Sequence, residues 1–134
     1  MLIQYLDKYE YDFVENVKTY ETTKSRLNYS YRILRADLIF INNNIIVIPY
    51  NYHFGGLIKQ YQPILQFRFN YENKKIEGIQ FLMNVESIEN INSNIILKSN
   101  KTNNFLNGNM EIKIDLSEKE INTETLIIDR NYIV

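Results

Sequence analysis

The side chains able to do reactive chemistry are few. His53 is the one histidine in the chain, which excludes any site built on two imidazoles and leaves a serine, histidine and carboxylate triad possible only around this position. It stands in the run Pro49-Tyr50-Asn51-Tyr52-His53-Phe54-Gly55-Gly56. There two glycines permit unusual backbone angles and the aromatic rings offer contact area, which suits a ligand-contacting loop better than a triad. The glycine pair has the spacing of neither a phosphate-binding loop nor a dinucleotide fingerprint. With no cysteine in 134 residues, disulfides, thiolate metal sites and thiol nucleophiles are all excluded. Glu111 and Asp115 alternate with Met110, Ile112, Ile114 and Leu116. That is the pattern of a solvated strand face rather than of an acid pair, and it lacks the central glycine of a calcium loop. The residues therefore name no catalytic, metal or cofactor site, and the expectation is a protein that is not an enzyme.

Binding chemistry is better represented. Residues 1 to 23 carry a net charge of −3, residues 24 to 75 carry +6, and the remainder carries −4. In the basic middle, Lys24, Arg26 and Arg32 share strand parity and are expected to line one face, with Arg35 nearby and Tyr29 and Tyr31 on the opposite face. Such a strip could meet the phosphates of a nucleic acid or an acidic protein surface. An overall pI near 5.9 and the acidic flanks argue against nucleic acid. Eleven tyrosines point toward protein contact, because a rigid ring contributes large area at little entropic cost. Tyr11, Tyr50, Tyr52, Tyr61 and Tyr132 are expected to be incompletely buried. Nineteen asparagines and twenty-one isoleucines are read as codon bias toward A and T, so Asn42-Asn43-Asn44 is a turn and not a prion-like tract.

These residues need elements to hold them. Leu2, Leu6, Tyr9, Phe13, Val17 and Tyr20 are spaced by three and four, which predicts an N-terminal amphipathic helix. From Lys24 the period becomes two, with Leu27, Tyr29, Tyr31 and Ile33 against Arg26, Asn28, Ser30 and Arg32. Leu38 to Ile41 and Ile45 to Ile48, joined by the asparagines, predict a hairpin whose second strand ends at Pro49. Ile64 to Tyr71 and Ile76 to Met83 predict a second hairpin, and further strands are expected at Ile95 to Lys98, Met110 to Leu116 and Leu126 to Asp129. Ser117-Glu118-Lys119-Glu120 has capping-box spacing.

About eight short strands with frequent turns predict a mainly β (α+β) domain. The expected form is an antiparallel β-sandwich or partly open barrel with one N-terminal helix. No linker or repeat divides residues 1–134, so one domain is expected. The opening residues lack a secretory leader and no apolar run is long enough to span a membrane, so no membrane partner and a cytoplasmic location are expected. The functional expectation is a non-catalytic protein-binding module of the immunity, inhibitor or mobile-element accessory kind. Its partner-binding residues are drawn from Lys24, Arg26, Tyr29, Tyr31, Arg32, Arg35, Tyr50, Tyr52 and His53. The alternatives are a nucleic-acid-binding domain using Lys24, Arg26, Arg32 and Arg35, and a carbohydrate-binding β-sandwich using Tyr50, Asn51 and Tyr52. Isoleucine-rich edge strands also allow a homodimer.

Overall fold

The computed structural model describes residues 6–24, 29–101 and 108–133. Its strands are β1 (Tyr11–Lys24), β2 (Tyr29–Ile41), β3 (Asn44–His53), β4 (Ile58–Tyr61), β5 (Leu65–Arg68), β6 (Phe81–Ile91), β7 (Asn94–Lys101) and β8 (Asn109–Asp115), followed by helix α1 (Thr123–Asp129). The order β2-β1-β8-β7-β6-β5-β3, with β3 pairing back onto β2, closes seven strands into a barrel, and β4 adds to β3 outside the ring. Closure satisfies the backbone groups that an open sheet would leave at its margins.

Alternation fills the barrel. Ala36, Leu38 and Phe40 of β2 point inward to meet Ile45 and Val47 of β3, Phe67 of β5, Val85 of β6 and Ile112 and Ile114 of β8. On β8 the expected inward set Met110, Ile112 and Ile114 is buried while Glu111 stays exposed. The β2–β3 hairpin turns at Asn42 and Asn43, the latter at φ 62°, a left-handed angle that asparagine accepts more readily than most residues. Pro49 does not end the second strand. It lies within β3 opposite Ala36.

The predicted N-terminal helix is overturned over residues 11–20, which belong to β1; Leu2 lies outside the described residues. The cause is a bulge. Val14 pairs with Leu38 and Val17 with Ala36, so Glu15 and Asn16 together oppose Asp37. Asn16 takes φ 56° and its N–H donates to Asp37 Oδ1 at 3.0 Å. One extra residue shifts the inward parity from even to odd. Val14 and Val17 therefore share a side at a spacing of three, which imitates one turn of a helix. Pairing with β2 and β8 then outweighs the local pattern.

The second predicted hairpin is also corrected, and with it the all-antiparallel sheet. β5 and β6 run parallel, Leu65 beside Phe81 and Arg68 beside Asn84. The twelve-residue connection between them is the length a parallel crossover needs. It crosses the outer surface of β2 and β3, where Ile76 and Ile79 pack on Ile39, Ile41 and Ile46 to make a second apolar cluster outside the barrel. Gln66, fully buried, pins it there. Its Nε2 donates to Asn44 Oδ1 at 2.9 Å and to the Lys74 carbonyl at 3.2 Å, while its Oε1 accepts the Ile76 N–H at 2.8 Å.

The last predicted strand is helix α1, capped by Asn122, whose Oδ1 accepts the Thr125 N–H at 3.0 Å. The expected capping box at Ser117 does not form. Ser117 instead gives its N–H and hydroxyl to Asp115 Oδ1 at 3.0 and 2.6 Å, which turns the chain out of β8. Beyond α1, Tyr132 closes the end of the barrel. Its ring stacks on Phe69 at 4.7 Å, and its hydroxyl donates to the carbonyls of Ile41 at 3.0 Å and Asn44 at 2.9 Å. Tyr132 and Tyr50, both expected at the surface, are among the largest fully buried side chains, whereas Tyr11, Tyr52 and Tyr61 are exposed as expected. No helix among the described residues is long and apolar enough to cross a membrane.

Candidate interaction face

The inward parity of β2 is set by Leu34, Ala36 and Leu38, so its odd residues face outward. Tyr29, Tyr31 and Ile33 are therefore on the outside of the barrel together with Arg35. Arg32 takes the inward parity and reaches Glu21 Oε2 at 2.7 Å. The predicted basic strip is thus divided. Lys24 pairs with Tyr29 across the hairpin, which puts it on the outer face, opposite to Arg32. Arg26 lies outside the described residues. The reason is the register: from Val17 to Lys24, partners on β1 and β2 pair an even residue with an odd one, so parity counted straight through the turn assigns the faces wrongly.

The ladder assembles a different cluster. Lys18 is opposite Arg35, Arg35 is opposite Tyr50, and Tyr50 is opposite Tyr61, a continuous row across β1, β2, β3 and β4. In the neighbouring row Lys113 faces Tyr20 and Tyr20 faces Ile33, while Tyr52 faces Lys59. Lys113 and Lys18 lie over the Tyr20 ring at 4.5 and 5.4 Å from its centroid. Lys59 lies over the rings of Tyr50 at 3.9 Å and Tyr61 at 5.0 Å, positions favourable for a cation above a ring quadrupole. The Tyr61 hydroxyl and, more weakly, the charge of Asp37 hold the Lys59 ammonium above its ordinary pKa.

Tyr50 is the buried keystone of this face. Tyr52 and Tyr61 meet it edge-on at 5.6 and 5.9 Å, and its hydroxyl donates to Asn16 Oδ1 at 3.2 Å. Burial, and then the nearby Asp37 carboxylate, push its pKa up. The β1 bulge and the aromatic cluster thereby support each other, since Asp37 holds Asn16 and Asn16 holds Tyr50.

Pairing between β2 and β3 ends at Arg35 and Tyr50. Beyond that point the β1–β2 and β3–β4 hairpins part, leaving a shallow cleft of about 200 Å³ bordered by Lys18, Ile33, Arg35, Asn51 and Tyr52. Lys18 and Arg35 stand side by side there, and neither has an ion-pair partner among the described residues. Like charges directly opposite on a ladder are destabilising. Exposed rings and side chains flank this cleft: Tyr29, at the start of β2, is 67% exposed, and Phe54 and Leu57, at the β3–β4 turn, are 76% and 87% exposed.

His53 is exposed at the end of β3, opposite Ile58. The glycines beside it, Gly55 at φ 66° and Gly56 at φ 93°, serve the turn of the β3–β4 hairpin, whose Leu57 N–H returns to the Phe54 carbonyl at 3.3 Å. Of the three residues named for a sugar site, Tyr50 is buried, Asn51 is half-buried and Tyr52 is exposed. Among the described residues no three histidine, aspartate or glutamate side chains converge as a metal site.

Of the expected binding residues, the fold brings Tyr29, Tyr31, Arg35, Tyr50, Tyr52 and Lys24 to one outer surface and turns Arg32 away. Sequence reading missed Lys18, Tyr20, Lys59 and Lys113, which join the face only through cross-strand pairing; the alternation Lys18, Tyr20 would have signalled it had β1 been read as a strand. Comparison with protein-family models, with curated proteins and with solved structures finds no match.

Proposed function

We propose that this chain is a non-catalytic protein-binding module that occludes a partner through the outer face of the β1–β2 and β3–β4 hairpins. The observation that carries the reading is the run of exposed Tyr29, Tyr31, Ile33 and Tyr52 beside the adjacent cations Lys18 and Arg35. Contiguous exposed aromatic and aliphatic surface marks interaction sites, and tyrosine and arginine are the residues on which binding energy concentrates. The adjacent cations favour a partner presenting carboxylates at the centre of the contact. The role is of the inhibitor or immunity kind, in which occupancy is the function.

The test is native mass spectrometry of the protein isolated at low salt from its own source, repeated with Tyr31→Ala and Tyr52→Ala. A polypeptide partner retained by the parent chain should be lost from both variants, each substitution weakening the complex by about 1–2 kcal/mol with thermal stability unchanged. A complex that survives both substitutions would exclude this face. A second reading, single-stranded nucleic acid, is favoured by the same Lys18 and Arg35 pair set beside the Tyr52 ring. It requires a nucleotide polymer in the spectrum and an affinity that falls steeply with salt.

A further inference from the structure

The barrel has a second opening. β1 is paired with β2 from Tyr11 to Lys24, but β8 joins its other side only from Lys18 onward. Residues 11–15 therefore have an edge with no strand partner among the described residues. The cause lies on β8, where Asp115 captures Ser117 and diverts the chain. The segment 116–122 and α1 then pass at a distance from β1 and leave a cleft of about 600 Å³. Its floor is apolar, with Val14, Phe40, Ile121 and Leu126. Its rim carries four carboxylates, Asp12, Glu15, Glu120 and Asp129, against Lys119. Arg130 is committed to Asp12 at 3.0 Å.

From this geometry we infer that the cleft takes an extended, lysine- or arginine-rich peptide segment of a partner, added as a strand along residues 11–15 of β1. An unpaired sheet edge supplies main-chain hydrogen bonds to an incoming strand, and alternate side chains supply selectivity. Here one set of side chains enters the apolar floor while its neighbours meet the carboxylates. A second copy of this chain is disfavoured as the occupant, because antiparallel pairing of two such edges centred between residues 13 and 14 sets the Asp12 of each copy beside the Glu15 of the other. The cleft is distinct from the hairpin face, so the two readings fail separately.

The experiment uses the full chain and three blocked peptides of seven residues: alternating lysine and valine, alternating glutamate and valine, and the lysine peptide N-methylated at alternate residues. Fluorescence anisotropy measures affinity and hydrogen exchange locates the contact. The lysine peptide should bind and slow exchange of the 11–15 amides. The glutamate peptide should not bind, and N-methylation should weaken binding by about tenfold or more, since it removes the donors of one strand edge. Glu15→Lys with Glu120→Lys, both exposed positions, should also weaken the lysine peptide by about tenfold. Equal affinity of the methylated peptide, or protection elsewhere than 11–15, would overturn the inference. Protection without peptide of the 11–15 amides directed away from β2 would do so too, in favour of a second copy if it grows with protein concentration and of a segment of this chain if it does not.

Discussion

Arg32 Nη2 meets Glu21 Oε2 at 2.7 Å across the β1–β2 ladder, with the glutamate side chain 1% exposed and the arginine 48%. The acid sits on the inward face of β1, opposite Ile112 of β8, and its other oxygen has no hydrogen-bond partner among the described residues. Glu21 is thus held in the barrel by one charge-assisted bond. Arg32→Leu should destabilise the fold by about 2 kcal/mol, less than the roughly 3–5 kcal/mol of a fully enclosed pair because water reaches the arginine side. The double variant with Glu21→Leu should recover most of that loss. Urea unfolding of the four proteins in the cycle checks it, and simple additivity would show that the two groups are not coupled.

Gln66 anchors the crossover between β5 and β6 through its three hydrogen bonds to Asn44, Lys74 and Ile76. Gln66→Leu leaves the Asn44 oxygen, the Lys74 carbonyl and the Ile76 N–H to find other partners, at an expected cost of about 2–3 kcal/mol. Loss should be local first. Exchange of the Ile76 amide should accelerate more than that of Ile112 in the barrel interior, and equal acceleration would mean that the crossover is not held by this residue.

Asp115 accepts the Ser117 hydroxyl and N–H, and these bonds, the hydroxyl foremost, hold its carboxyl below the usual carboxylate range, with Lys113 and Lys18 adding smaller contributions. A folded-state pKa below the unfolded one adds stability above the unfolded value and loses it as pH falls through the folded value. The group is largely solvated, so the effect is modest. Asp115→Asn should cost about 0.5–1 kcal/mol at neutral pH, and the difference from the parent should vanish on acidification. Chemical unfolding across that range tests this; a constant difference would place the stabilisation elsewhere.

Alternation and turn chemistry made part of this architecture legible without coordinates. Met110, Ile112 and Ile114 announce the inward face of β8, and paired isoleucine runs around Asn42 and Asn43 announce the β2–β3 hairpin, because a two-residue period and a tolerated left-handed angle are local properties. The exposure of Tyr52 was legible for the same reason. Tyr50 was not, since the rings that meet it are Tyr61 across the β3–β4 ladder and Tyr52 two residues along β3.

The sequence alone determined that the chain is rich in strands, free of cysteine chemistry and limited to one histidine, since composition and period-two spacing are properties of the chain itself. Only the tertiary structure decided which faces of β1 and β2 are inside. A single bulge at Glu15 and Asn16 reverses the parity of β1, and a hairpin register sends Arg32 inward and Lys24 outward. Barrel closure, the parallel pairing of β5 with β6 and the row from Lys18 to Tyr61 likewise depend on which strand lies beside which. Local periodicity does not encode that choice; it is made by the fit of side chains distant in sequence around a common core.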